Sequence, residues 1–113
     1  MSADAGVLLV LTTMPDHATA VDLARHLLEG HLVACVSLGA SAQSLYRWQG
    51  VVVENREIPV QIKTVRARYA AVEAAIRAVH PYELPEIIAV PVVAGLPAYL
   101  NWVYEESTPP TNA

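Results

Sequence analysis

One cysteine in 113 residues excludes an intrachain disulfide and suits a reducing compartment. Charge is scarce as well. Only 16% of the residues are charged, where a soluble domain usually has about 25%. Acids outnumber bases, leaving a net charge of −4. That balance offers no basic face for wrapping nucleic acid. The chain also lacks a phosphate-binding glycine loop, a Gly-x-Ser-x-Gly elbow, a pair of cysteines and a His-Glu-x-x-His helix. His17, His26 and His31 have no partner at helical spacing and read as surface residues. Asp4 and the absence of any basic residue before the first apolar run leave out the start of a secretory signal, so a cytoplasmic location is expected.

Apolar residues are abundant, at 54% of the chain. A domain this small has too much surface for its volume to hide them all. Part of that surface must lie against another subunit, which predicts a homo-oligomer. Residues 87–104 carry no charge and are long enough to span a bilayer. Pro91, Gly95 and Pro97 interrupt them, however, so they read as strand, turn and short helix without membrane insertion.

Taken in order, residues 7–13 are apolar on both faces, as in a central strand. Asp16 is placed to cap a helix whose Ala20, Leu23, Ala24, Leu27 and Leu28 recur at helical spacing, with Gly30 as a left-handed stop. A second strand covers residues 32–38. An extended segment, 45–53, puts Tyr46 and Trp48 on one face, with a bend or bulge at Gly50. The polar run Glu54-Asn55-Arg56-Glu57 predicts the hairpin turn, and residues 58–64 the returning strand. In that strand Ile58, Val60 and Ile62 face the core, Gln61 and Lys63 face away, and Pro59 needs an edge or a bulge. Thr64 is a plausible cap for a second helix with Val65, Tyr69, Val72, Ile76 and Val79 as its stripe. Residues 87–93 predict the last core strand, and Pro97 opens a third helix. Two strand–helix–strand units joined by a hairpin make an α+β, ferredoxin-like split βαβ sandwich, with the extra helix free to cover an edge. The domain is expected over residues 1–106 and a solvated tail over 107–113.

Chemistry concentrates in His80-Pro81-Tyr82-Glu83-Leu84-Pro85-Glu86, an imidazole, a phenol and two carboxylates held between two prolines. Pro81 ends the preceding helix and pushes His80 out of helical geometry. One reading is a rigid loop that displays functional groups. The other is a helix stop with solvated charges. Neutral imidazole suits copper, so His80 with Glu83 is the candidate metal pair; alternatively, His80 answers the helix dipole. Cys35 reads as a small buried hydrophobe, or as a soft ligand or redox thiol. Arg47, Arg56, Lys63, Arg66 and Arg68 are five of the seven basic residues. They suit a solvated basic face or a small anionic ligand at a helix start.

Several ordered motifs resemble one family. They are Thr12-Thr13-Met14-Pro15-Asp16, Leu32-Val33-Ala34-Cys35-Val36, Ser44-Leu45-Tyr46-Arg47-Trp48-Gln49-Gly50, Ile62-Lys63-Thr64, the His80 to Glu86 run quoted above, and Leu96-Pro97-Ala98-Tyr99-Leu100-Asn101-Trp102. Together they resemble the divalent-cation tolerance proteins, CutA, over residues 7–104. The resemblance implies a ferredoxin-like subunit in a compact trimer, similar in architecture to PII signalling proteins, with hairpins pairing across subunits and clefts between them. It implies tolerance of copper and other divalent cations, with no obligatory cofactor and no firmly attached reaction. By the same resemblance Tyr46, Trp48, Lys63, Tyr82 and Glu86 line the cleft, with Cys35 at its wall. Some relatives bind copper through a cysteine and adjacent histidines. Those positions are Thr12, Val79 and His80 here, so one imidazole remains. Three functions stay open: a non-enzymatic metal-responsive or ligand-binding trimer, a structural or interaction hub, and a small enzyme using Glu83 or Glu86 beside His80 as general base.

Overall fold

The computed structural model describes residues 6–109. The first strand, β1 (Val7–Met14), runs through the middle of the sheet. Its Leu8, Val10, Thr12 and Met14 are buried on one face, so alternation holds even where Val and Leu occupy both faces. Asp16 caps α1 (His17–Glu29) by accepting from the Thr19 amide at 2.8 Å. Gly30 closes that helix with an ordinary φ of −85°. The left-handed position falls one residue later, on His31 (φ +55°), a residue type enriched in that region.

The next strands are β2 (Cys35–Leu38), β3 (Ala42–Trp48) and β4 (Val51–Val65). Their register moves the hairpin turn. Trp48 pairs with Val51, so the turn is Gln49-Gly50, with φ of +50° and +82°, the two positive values of a type I′ hairpin. The polar run 54–57 expected to be the turn lies inside β4. Its side chains reach across the ribbon: Gln43 Nε2 donates to Glu54 Oε1 at 2.6 Å, and Asn55 donates to the Tyr46 hydroxyl. Strand β4 is 15 residues long, about 50 Å at the usual rise per residue. The molecule's longest dimension is 51 Å.

A 3₁₀ turn at Arg66–Arg68 leads into α2 (Tyr69–Val79), followed by β5 (Ile87–Pro91) and α3 (Pro97–Glu106). Thr64 does not cap α2. It is fully buried in β4, where its hydroxyl donates to the Leu32 carbonyl at 2.7 Å. Of the stripe expected on α2, Val72 and Ile76 are buried in the main core, while Val79 is exposed and Val65 belongs to β4.

The order β2-β4-β1-β5 has every neighbouring pair antiparallel. The parallel strands β1 and β2 are split by β4, and β4 and β5 by β1, so two split βαβ units interlock in a ferredoxin-like sheet. One face packs on α1 and α2 around Val10, Leu23, Leu27, Ile62 and Ile76. The other is covered at one end by α3, whose Leu100 and Val103 meet Val7, Ala34 and Val65. Pro59 sits in β4 with its carbonyl accepting from the Gly39 amide at 2.9 Å. Its missing N–H therefore falls just past the end of β2, which satisfies the edge rule. Strand β5 is an edge rather than the expected core strand, with Ile88 and Val90 exposed. Ser107, assigned to the tail, is buried at the end of α3; the rest of that tail beyond residue 109, and the residues behind the secretory-signal reading, lie outside the described residues.

The turn makes a direct prediction. A Cβ on Gly50 meets nothing within 4 Å, so Gly50→Ala should cost about 1–2 kcal/mol from backbone conformation alone. Gln49→Asn should be neutral or stabilising, because Asn-Gly suits a type I′ turn. Denaturant unfolding of the two variants checks both signs.

Candidate functional site

Helix α2 ends because Pro81 excludes its predecessor from helical geometry. His80 leaves at φ −72° and ψ 131°, after its amide bonds to the Ile76 carbonyl at 2.9 Å. That exit turns the imidazole towards β1. Nε2 lies 2.7 Å from the Thr13 carbonyl oxygen, and Nδ1 lies 3.1 Å from the Tyr82 amide nitrogen. A carbonyl only accepts and an amide N–H only donates, so the pair assigns the neutral ring with its proton on Nε2. His80 thus ties the loop to the sheet with both nitrogens, and its partner is a β1 carbonyl rather than the end of α2. A metal on either nitrogen would break one of these bonds. Among the described residues, no three His, Cys, Asp or Glu side chains come together as a metal group. Among the described residues of the single chain, the donors present do not make up a copper site.

The tether places the loop opposite the hairpin, with a cavity of about 770 Å³ between them. Thr13 and Glu57 line it from the sheet, and Tyr46, Trp48 and Asn55 from the hairpin. Tyr82, Glu83 and Glu86 line it from the loop. Glu57 is only 7% exposed, and its Oε2 accepts from the Thr13 hydroxyl at 3.2 Å. Burial pushes the Tyr82 phenol up to about 12; the Glu57 carboxylate adds to the rise as hydrogen-bond acceptor and as negative charge, with a smaller contribution from Tyr46. Tyr82 therefore remains a neutral donor towards Glu57 far above neutral pH.

Five of the expected residues, Tyr46, Trp48, Tyr82, Glu83 and Glu86, share this cavity. Lys63 and Cys35 lie elsewhere. Lys63 pairs with Leu9, four residues along β1 from Thr13, or about 13 Å. There the Lys63 ammonium nitrogen is 3.7 Å from Cys35 Sγ, and the Tyr99 hydroxyl is 3.8 Å from the same sulfur. The ammonium also lies 5.9 Å from the centre of the Tyr99 ring. Burial raises the Tyr99 phenol, Cys35 adds to the rise, and Lys63 opposes it. The basic residues are strung out rather than gathered. Arg47 and Arg56 are in the hairpin, whereas Arg66 and Arg68 follow the far end of β4. Sequence reasoning missed Glu57, Thr13 and Asn55 as site residues. Glu57 could have been found from its even spacing to Pro59, Gln61 and Lys63 on the face turned from the core.

The Tyr82–Glu57 contact has a pH signature. The folded-state value lies above the unfolded 10, so the unfolded chain loses this proton first. Stability from this group is complete below pH 10 and is lost as pH rises towards 12. A phenolate absorbance titration of wild type minus Tyr82→Phe should show a midpoint near 12, and Glu57→Gln should lower it.

Compared with known proteins, residues 8–106 match the family model described as CutA1 divalent ion tolerance protein. The Divalent-cation tolerance protein CutA of Thermus thermophilus is 38% identical over 99 residues, spanning 88% of this chain and 96% of that protein. The solved structure of the Thermus thermophilus protein superposes with a TM-score of 0.87, covering 88% of this chain and 97% of that one. Mouse Protein CutA is 39% identical over 101 residues, spanning 89% of this chain but 57% of the longer mouse protein. The solved structure described as the periplasmic divalent cation tolerance protein CutA of Archaeoglobus fulgidus is 30% identical, with a TM-score of 0.87 over 90% of this chain and 99% of that one. The ordered motifs, the interlocked split βαβ units and the match over residues 8–106 agree, and the chain belongs to the CutA1 divalent ion tolerance family.

Proposed function

We propose that the protein is a non-enzymatic, cytoplasmic homotrimer that responds to divalent cations, copper foremost, or to a small ligand held in clefts between subunits. The projecting hairpin carries this reading. Leu45 is 62% exposed and its neighbour Tyr46 38%; Val51 and Val52, also consecutive, are 61% and 59% exposed. Consecutive strand residues point to opposite faces, so the ribbon is apolar on both. A two-stranded hairpin standing alone in water is marginal. Cover on two sides comes from neighbours placed symmetrically about a closed ring. The same packing sets a second subunit against the open side of the cavity. The free, part-exposed Cys35 suits a reducing compartment.

In this reading a divalent ion sits at the cleft mouth on Glu83, joined by His80 once Nδ1 releases the Tyr82 amide, with the remaining donors from the neighbouring subunit. Sedimentation should give three times the 12.2 kDa chain mass at micromolar concentration. Calorimetry with copper should show saturable binding that weakens at least tenfold in His80→Ala and in Glu83→Gln. Unchanged affinity and stoichiometry in His80→Ala would remove that residue from the account. An intact trimer that takes up no copper would favour the interaction hub. The double engagement of the His80 ring already supports that second reading, because it gives the imidazole a structural task.

A further inference from the structure

The cavity wall has a charge of one sign. Three carboxylates line it, Glu57, Glu83 and Glu86, and no Lys, Arg or His side chain among the described residues does. Glu57 is the deepest of them. It is more than nine-tenths buried, and the groups that donate to it are neutral, the Thr13 hydroxyl at 3.2 Å and the Tyr82 phenol. A buried carboxylate without a cationic partner is costly, and a positively charged guest would offset that cost.

The rest of the wall says what kind of cation fits. Bare calcium or magnesium takes six or more oxygens closing at about 2.0–2.6 Å, and no three His, Cys, Asp or Glu side chains among the described residues gather for a copper or zinc ion. A space of about 770 Å³ walled in part by Leu45, Leu84 and Pro85 does not close in that way. It lies within the range of pockets for organic molecules, about 300–1,000 Å³. Tyr46, Trp48 and Tyr82 add aromatic rings, whose faces attract an ammonium group and whose area covers an apolar stem.

We infer that the cavity binds a small organic ammonium ion, with its N–H groups on the Glu57 carboxylate and its apolar body against Trp48 and Tyr46. This rests on the ligand-cleft reading above and names the ligand class. It also separates two guests: the ammonium at the floor, and any divalent ion at the mouth.

The test uses three probes with similar bodies and different heads: 2-phenylethylammonium, 2-phenylethanol and 3-phenylpropionate. The readout is Trp48 emission in a Trp102→Phe background, which leaves one tryptophan. The ammonium should give a saturable change, the alcohol should bind at least tenfold more weakly, and the carboxylate should not bind. Glu57→Gln keeps an acceptor for Thr13 and should weaken the ammonium at least tenfold while leaving the alcohol unchanged. The double variant Glu83→Gln, Glu86→Gln should weaken it less. Three results would overturn the inference: tighter binding of the carboxylate, no effect in Glu57→Gln, or no saturation by any probe because a basic side chain of another subunit fills the space. Sedimentation and copper calorimetry on the same samples separate the two readings. A monomer that still binds ammonium sinks the trimer alone, and a copper-binding trimer that ignores ammonium sinks only this inference.

Discussion

Everything else in the chain depends on β4 being one unbroken strand. Its inner half, from Ile58 on, hydrogen-bonds to β1 on one side and β2 on the other. Its outer half, from Val51 to Glu57, pairs with β3 alone. The inner half is fixed by burial, since Ile58, Val60, Ile62 and Thr64 all insert beneath the helices. The outer half inherits its direction from that anchor. The ribbon is thereby held out from the core with Leu45, Val51 and Val52 exposed, which is why the proposed assembly has neighbours cover it.

The cavity stands at the junction between the two halves. Glu57 is the last residue of the ribbon register and Ile58 the first beyond it, so the carboxylate sits where the sheet stops being two-sided. The loop that closes the cavity is tied to the sheet by His80, which links the Thr13 carbonyl to the Tyr82 amide, and by Tyr82 facing Glu57. Sheet, hairpin and loop are thus coupled through a few polar contacts, and loosening any one of them would disturb the other two. An imidazole with both nitrogens engaged positions its surroundings.

Much of the architecture was legible in the sequence where one-sided burial or backbone chemistry left a mark. The Asp16 cap, the Pro81 break and the alternation of Ile58, Val60 and Ile62 each follow from local rules. The hairpin turn was not legible. A ribbon open on both faces shows no one-sided pattern, so a polar run inside it looked like a turn and the Gln49-Gly50 turn looked like a bend. Thr64 was misread because a threonine before a helix has the same composition whether it caps that helix or bonds back into a sheet. The family resemblance set Lys63 and Cys35 in a cleft between subunits; within the chain, strand register puts them about 13 Å along β1 from the cavity, a distance that spacing alone does not show. Glu57 was passed over because its burial arises only after β4 is known to continue through it.

The most direct test of the central claim is amide hydrogen exchange along the hairpin. If subunits cover the ribbon on both faces, the ladder amides of β3 and of the Val51–Glu57 half of β4 should exchange nearly as slowly as those of β1 at micromolar concentration, and should lose that protection on dilution. Ribbon amides that exchange within seconds at every concentration, beside a protected β1, would show the hairpin standing free in water and would contradict the account.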